Sequence, residues 1–214
     1  MLYKVFDDLY AFFWTSHTEN NCNTYLIRGD ENILIDPGHG HLFDHVLQGL
    51  SSIDISLDQI DAVLVTHGHP DHIEGVLQFE AGTRFGISRA EYDFIQEYTG
   101  GRHNLPKPDL YLTEGELVLG GVQLEIIETP GHSPGEICIY WPRHKTLFSG
   151  DLVFEGSLGR TDLPKGSASE IKESIRRVAG LEIDLVLPGH GGPVQGKNNV
   201  QQNFREIEGL FQYL

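Results

Sequence analysis

The chain has 214 residues, 39% of them hydrophobic and 21% charged, an ordinary globular composition with enough length for one substantial core. Lys and Arg number 15 against 31 Asp and Glu, a formal net charge of −16. Such a surface repels polyphosphate, which argues against nucleic acid and anionic membranes as partners, whereas divalent cations would offset part of the charge.

Short apolar runs at 2–6, 9–14, 23–28 and 32–36 predict strands, with Arg28-Gly29-Asp30-Glu31-Asn32 as the turn between the last two. Residues 41–50 have helical spacing, with Leu42, Val46 and Leu50 on one face. A strand at 61–66 leads into a helix over 71–79, where Asp71 suits the first turn. A strand at 83–87 and a helix at 88–98 follow. The Gly- and Pro-rich stretch 99–109 predicts a loop that could cover a site. Strands return at 116–119, 122–128, 136–141 and 145–149, then a helix at 167–179, a strand at 184–188 and a closing helix at 199–213. No repeat or internal boundary is visible, so residues 1–214 are expected to form one domain. Periodicity by itself supports only a mixed α and β class, for which two packed sheets with helices outside would serve.

The first residues carry Lys4, Asp7 and Asp8 and lack the small-residue site that ends a secretory signal, and no apolar run approaches the ~20 residues of a membrane span. Cys22 and Cys138 stand apart in apolar surroundings and are expected to be reduced core thiols of a cytoplasmic protein.

Chemistry concentrates in Val63-Leu64-Val65-Thr66-His67-Gly68-His69-Pro70-Asp71-His72. An extended chain points His67 and His69 the same way, and Pro70 then starts a helix whose first turn carries Asp71 and His72. Imidazole and carboxylate ligate zinc, iron or manganese. The spacing allows two clusters, His67 with His69 and Asp71 with His72. A solvated polar loop is the bland alternative, but four ligand-type residues in six positions are a poor fit to it. Three more strands end in a Gly-containing turn with a ligand-type residue: His132 in Thr129-Pro130-Gly131-His132, Asp151 after Gly150, and His190 between Gly189 and Gly191. Each alone reads as a capping or hydrogen-bonding residue; four strand ends together read as one site.

With THGHPDH, TPGHSPG, SGDLVF and PGHGGP in this order, the chain resembles the metallo-β-lactamase-fold superfamily from NTYLIRGDENILIDPG to LPGHGGPV. The resemblance implies a four-layer αββα sandwich (an α/β, α+β fold) with a metal site at one edge of the sheets. It implies His67, His69 and His132 as ligands of a first divalent metal, Asp71, His72 and His190 as ligands of a second, and Asp151 as the carboxylate between them. Zinc is the first expectation, iron or manganese the alternatives. Asp36 in Ile33-Leu34-Ile35-Asp36-Pro37-Gly38 resembles the aspartate that steadies the ligand loop, although Asp-Pro-Gly is also plain turn chemistry.

Within that superfamily GSLGRTDLPKG, 156–166, resembles the glyoxalase II-like hydrolases and the related persulfide dioxygenases. The first implies attack of a hydroxide held between two metals on a small thioester or ester, a glutathione conjugate being one candidate in the class, with Asp71 and Asp151 in catalytic roles. The second implies one iron held by His67, His132 and Asp151. A non-catalytic metal-stabilised module is the third reading, disfavoured because structural zinc sites close all four positions. Arg160 is a candidate substrate contact, or else the partner of Asp162 in an ion pair within the loop; Lys165 reads as surface. Longer glyoxalase II enzymes add a helical C-terminal domain, whereas 24 residues follow His190 here. His17, His39, His41, His45, His103 and His144 receive no role.

Overall fold

The computed structural model describes residues 1–214. Seven strands form one sheet in chain order: β1 (Leu2–Phe6), β2 (Leu9–Phe12), β3 (Thr24–Arg28), β4 (Asn32–Ile35), β5 (Ala62–Leu64), β6 (Arg84–Ser88) and β7 (Leu110–Leu112). The pairs up to β3–β4 are antiparallel, and β4 to β7 run parallel. Parallel neighbours need crossovers, and these carry α1 (Asp44–Ser51), α2 (Pro70–Ile73) and α3 (Arg89–Thr99). The second sheet is built from β8 (Gly115–Leu119), β9 (Val122–Glu128), β10 (Ile137–Trp141), β11 (Thr146–Gly150), β14 (Leu185–Pro188) and β15 (Val194–Gln195), in the order β15-β14-β11-β10-β9-β8. Between β11 and β14 lie the small hairpin β12 (Val153–Phe154) and β13 (Ser157–Leu158), then α4 (Ala168–Ala179); α5 (Lys197–Leu210) follows β15.

Strand alternation sorts the apolar residues into three layers. Leu9, Ala11, Ile33, Ile35 and Leu64 meet Ile126, Ile139, Phe148 and Leu187 of the second sheet. Their neighbours Tyr10, Phe12, Leu34, Val63 and Val65 face the other way, onto Val46 and Leu50 of α1 and Ile95 of α3. Cys138, Tyr140, Leu147 and Val186 take Ile171, Ile175 and Val178 of α4 with Phe204 and Ile207 of α5. The order is helix, sheet, sheet, helix, as the resemblance implies. Central strands buried on both faces explain why they read as continuous apolar runs rather than alternating ones.

The sheets are also joined by hydrogen bonds at one edge. Ile137 N donates to Thr66 O at 3.0 Å and Asn23 N to Gly189 O at 2.7 Å, while the Gly189 N to Gly150 O bond, at 2.7 Å, fastens the ends of β14 and β11 within the second sheet. The buried Tyr25 hydroxyl donates to Pro188 O at 2.6 Å. This edge gathers the ends of β5, β9, β11 and β14, from which every proposed ligand departs.

Several expected boundaries differ. The helix expected over 71–79 divides into α2 and a 3-10 segment, Glu74–Gln78, and that over 41–50 begins as a 3-10 turn, Gly40–Leu42. The strands β7, β12, β13 and β15 have two or three residues each, too few for a readable period. Of residues 99–109, Thr99 ends α3 and borders the cavity over the site, whereas 100–109 do not line it: Leu105 packs on the α1–α3 core and Asp109 Oδ2 accepts from Phe85 N at 2.9 Å. Cys22 and Cys138 are buried free thiols, and burial pushes both well above the usual thiol range.

Phe148 is central to the inter-sheet layer, 5.4 Å from the Tyr25 ring centroid. Phe148→Ala is expected to destabilise the fold by about 3–5 kcal/mol, read as a lower urea midpoint at an unchanged slope. A loss below about 1 kcal/mol would show that the two sheets can close over the gap.

Candidate metal centre

His67 and His69 leave the end of β5 two residues apart, and Pro70 at the start of α2 turns the chain so that Asp71 and His72 come back under them. His132 stands on the turn after β9, Asp151 directly after β11 and His190 two residues after β14. All seven side chains meet at the joined edge of the sheets.

One cluster is formed by His67, His69 and His132, with His67 Nε2 and His132 Nε2 at 3.0 and 2.9 Å from His69 Nδ1. His132 Nδ1 donates to Arg160 O at 2.8 Å and His67 Nδ1 to Thr66 Oγ1 at 3.2 Å. Those partners put the ring protons on Nδ1 and leave both Nε2 lone pairs turned on the single Nδ1 of His69. One proton can satisfy only one of the two contacts; a cation among the three nitrogens satisfies all. Asp71, His72 and His190 form the other cluster, with His190 Nε2 3.3 Å from Asp71 Oδ2. Asp151 stands between them: Oδ1 is 3.3 Å from His72 Nε2, and Oδ2 is 3.5 Å from both His132 Nε2 and His190 Nε2. His72 Nε2 and Asp151 Oδ1 are buried without a hydrogen-bond partner. Buried polar atoms are rarely left so, and both are aimed at the space a metal ion would take.

The charge states agree with that use. Burial holds His67 well below its usual range and brings His69 down to about 4, so both rings are neutral at pH 7, the form in which imidazole can ligate a cation. Burial would raise Asp71 and Asp151, but the His190 hydrogen bond to Asp71, and His72 and His190 beside Asp151, hold both carboxyls below the usual range. The same anions act in reverse on His190, which burial lowers but Asp151 and Asp71 lift to about 9. The carboxylates therefore draw positive charge into the cluster, and a divalent cation meets that demand.

Asp36 controls the geometry from below. Its carboxylate accepts from Thr66 N and Thr66 Oγ1, each at 2.8 Å, and from His72 Nδ1 at 3.0 Å. The turn reading also holds, since Asp36 has φ 52°. Gly189 is required by space: a Cβ there would lie 2.3 Å from Asp151 Oδ1 and 2.6 Å from His72 Cε1.

Two carboxylates went unnoticed in the sequence. Glu91 of α3 is fully buried; it accepts from Gly68 N at 2.9 Å and Gly135 N at 2.8 Å, and also from Ser133 Oγ. It therefore clasps the His67–His69 loop to the His132 loop. Glu136 is also fully buried; its Oε1 accepts from Asp151 N at 2.8 Å, which fixes the backbone that presents Asp151. Burial, reinforced by Asp151, pushes Glu136 well above the usual carboxylate range.

Above the seven donors opens a cavity of about 620 Å³, within the usual size of a small-molecule site. Phe94, Ile95 and Tyr98 of α3 form one wall and Leu163 with Pro164 the other. Arg160 is the only Lys or Arg in the lining, and it is ion-paired to Asp162 through Nε and Nη2, each at 2.7 Å. A larger depression of about 950 Å³ lies among Lys4, Asp8, Arg28, Arg143 and His144. It holds none of the seven donors, and Asp8 is already paired with Arg143 and His144.

Glu91→Ala should weaken metal binding at the His67, His69 and His132 cluster by about 10–100-fold, measured by competition with a chromogenic chelator. It should also lower stability by about 1–3 kcal/mol, because the clasped N–H groups are left buried and unpaired. Chelator competition equal to that of the wild type would show that the two loops hold their positions unaided.

Residues 17–190 match the family model of the metallo-β-lactamase superfamily. The chain is 34% identical over 191 residues to hydroxyacylglutathione hydrolase GloC of Haemophilus influenzae, covering 81% of this chain and 86% of that protein. It superposes on metallo-β-lactamase family protein TTHA1429 from Thermus thermophilus with a TM-score of 0.82 at 22% identity, over 98% of this chain and 81% of that one. With TTHA1623, solved in a di-iron-bound form, the TM-score is 0.69 at 30% identity, over 86% of this chain and 94% of that one. The fold, the ordered ligand motifs and these likenesses converge, and the chain belongs to the metallo-β-lactamase superfamily.

Proposed function

We propose that residues 1–214 form one catalytic domain, a dinuclear metal-dependent hydrolase that cleaves a small thioester or ester in the cytoplasm. The observation that carries this reading is the pair of buried, unpartnered atoms, His72 Nε2 and Asp151 Oδ1, facing each other between two three-residue clusters at the floor of an apolar-walled cavity. His67, His69 and His132 would hold one ion, Asp71, His72 and His190 the other, and Asp151 would offer an oxygen to each. Zinc is the first choice for an imidazole- and carboxylate-rich set, with iron or manganese as the alternatives. When bound, the ions supply Lewis acidity, lowering the pKa of water towards neutrality and polarising the acyl carbonyl.

The chain's own groups do the rest. Asp71, held by Asn20 Nδ2 at 2.6 Å, presents a carboxylate at the cavity floor that orients the attacking water and accepts its hydrogen bond. Water adds at the acyl carbon, the C–S or C–O bond breaks, one water proton passes to the departing sulfur or oxygen, and a carboxylate, a thiol or alcohol and the second proton are released. The walls from α3 and from residues 163–164 exclude bulk water and seat the organic part of the substrate. The relatives named for hydroxyacylglutathione hydrolysis bring glutathione thioesters into the substrate class. The cavity itself offers such an anion only the paired Arg160, which supports anchoring of the substrate mainly through apolar contact. No helix is long and apolar enough to cross a membrane.

Metal analysis of the purified protein should find about two equivalents of divalent metal per chain, in keeping with a two-metal site. One equivalent of iron, with oxygen consumed on a glutathione persulfide, would replace the hydrolase by the dioxygenase. Asp151→Ala should abolish turnover of a thioester panel while leaving the unfolding midpoint of the metal-free protein within a few degrees; retained turnover would remove Asp151 from the mechanism. Phe94→Ala should raise KM more than it lowers kcat, since an apolar wall binds ground and transition states alike. A loss confined to kcat would instead place Phe94 against the reacting atoms.

A further inference from the structure

The stretch Gly38-His39-Gly40-His41 repeats the His-Gly-His spelling of His67-Gly68-His69, outside the site described above. The ring spacing is repeated too. The ring centroids of His39 and His41 are 4.8 Å apart, against 4.7 Å for His67 and His69 and 4.6 Å for His69 and His132, although the His39 and His41 planes are tilted at 51° where the other two pairs stand at 86°. A carboxylate completes the set: Glu74 Oε2 lies 2.8 Å from His39 Nδ1. One donor atom from each of His39, His41 and Glu74 falls within 4.8 Å of the others. None of the three belongs to the catalytic cluster or lines its cavity.

The backbone that presents these groups is held in place before any ion arrives. Gly38 sits at φ 82°, and a Cβ there would lie 2.8 Å from Asn21 Oδ1. That same oxygen accepts from His39 N at 2.8 Å. Gly75 N donates to Gly38 O at 2.7 Å, which fastens the His39 turn to the segment carrying Glu74. His39 and Glu74 are half-buried and His41 is exposed, so an ion would have both a supported base and an open approach.

We propose that His39, His41 and Glu74 form a separate binding site for a borderline divalent cation, Zn²⁺ in the first instance. Two imidazoles and a carboxylate suit zinc, cobalt or nickel better than the hard cations calcium and magnesium, and three protein ligands leave a position for water. The chain's excess of acidic groups favours cation accumulation at its surface. An ion here cross-links the turn after β4 to the segment following α2, so it stabilises the folded chain by an amount that grows with the free ion concentration.

The test compares holoenzyme already loaded at its catalytic centre with the same preparation of His41→Ala and of Glu74→Gln. Equilibrium dialysis against graded free Zn²⁺ is expected to give one more equivalent in the wild type than in either variant. Thioester turnover and the tightly held metal should be the same in all three. The wild-type Tm should rise with Zn²⁺ over the same range, and the variants should lack that rise. Only the difference between proteins is counted, so the result stands whether the catalytic centre holds one ion or two and whatever it hydrolyses. Equal Zn²⁺ uptake in wild type and both variants overturns the proposal. So does Zn²⁺ uptake lost in only one of the two variants, which would place the ion on fewer than the three proposed ligands.

Discussion

A single buried carboxylate organises the metal-binding edge. Asp36 is 1% exposed, and a carboxylate so placed is tolerable only when its oxygens are fully used. Three donors meet it: Thr66 N, Thr66 Oγ1 and His72 Nδ1. Because Thr66 Oγ1 gives its proton to Asp36, it is free to accept from His67 Nδ1, at 3.2 Å. One carboxylate at the end of β4 thereby sets the tautomer and direction of a histidine in each of the two clusters. Its left-handed backbone, φ 52°, costs on the order of 1 kcal/mol or more for a residue with a Cβ. Charge-assisted hydrogen bonds of about 1.5–3 kcal/mol each more than offset that cost.

The same economy of buried acid recurs at Glu91 and Glu136. Each takes hydrogen bonds from backbone N–H groups of a ligand loop rather than from a basic side chain. Loops without regular structure would otherwise leave those N–H groups unpaired. The site is thus rigid for reasons that lie outside the ligands. Asp36 ties β4 to β5, Glu91 ties α3 to two loops, Glu136 ties β10 to Asp151, and Asn23 ties β3 to the His190 turn through Pro188 O and Gly191 O, each at 3.0 Å. Donors drawn from opposite sheets can then be held at the separations seen, with no disulfide between the sheets.

What could be read in the sequence follows from where signals are local. His67 to His72 are crowded into six positions after a strand, and His132, Asp151 and His190 each follow a strand through a glycine, so their convergence is visible as a repeated local pattern. The Arg160–Asp162 pair is separated by two residues and is equally visible. Glu91 is not. Ser88-Arg89-Ala90-Glu91 has the spelling of a helix capping box, and Ser88 does accept from Glu91 N at 3.1 Å, but the carboxylate is diverted to Gly68, Ser133 and Gly135, up to 44 residues away. Glu136, one residue before β10, likewise looks like a polar residue at a strand boundary. The four-layer order was available from the resemblance and not from periodicity, because strands buried on both faces lose their alternation.

The ligand-type donors and the cavity walls come from different places in this chain. The donors sit on strand ends fixed by the inter-sheet layer, and the cavity walls come from one face of α3 and from the loop at 160–164. Phe94 and Tyr98 are four residues apart, the spacing of any amphipathic helix, so nothing in their spelling separates a substrate wall from a core face. Burial differs even where two residues both line the cavity. Ile95 packs into the α1–α3 core, whereas Tyr98 is 67% exposed although large and aromatic, and both border the cavity beside His69. Arg160 divides its duties in the same way, with its carbonyl orienting His132 and its guanidinium occupied by Asp162. The cation that sequence alone would assign to an anionic substrate is therefore tied into the loop that positions His132. Phe94 and Tyr98 of α3 and residues 163–164 border the cavity, whereas the hydrogen bonds that hold the donor loops to α3 run through Glu91 in its first turn, which Ser88 caps.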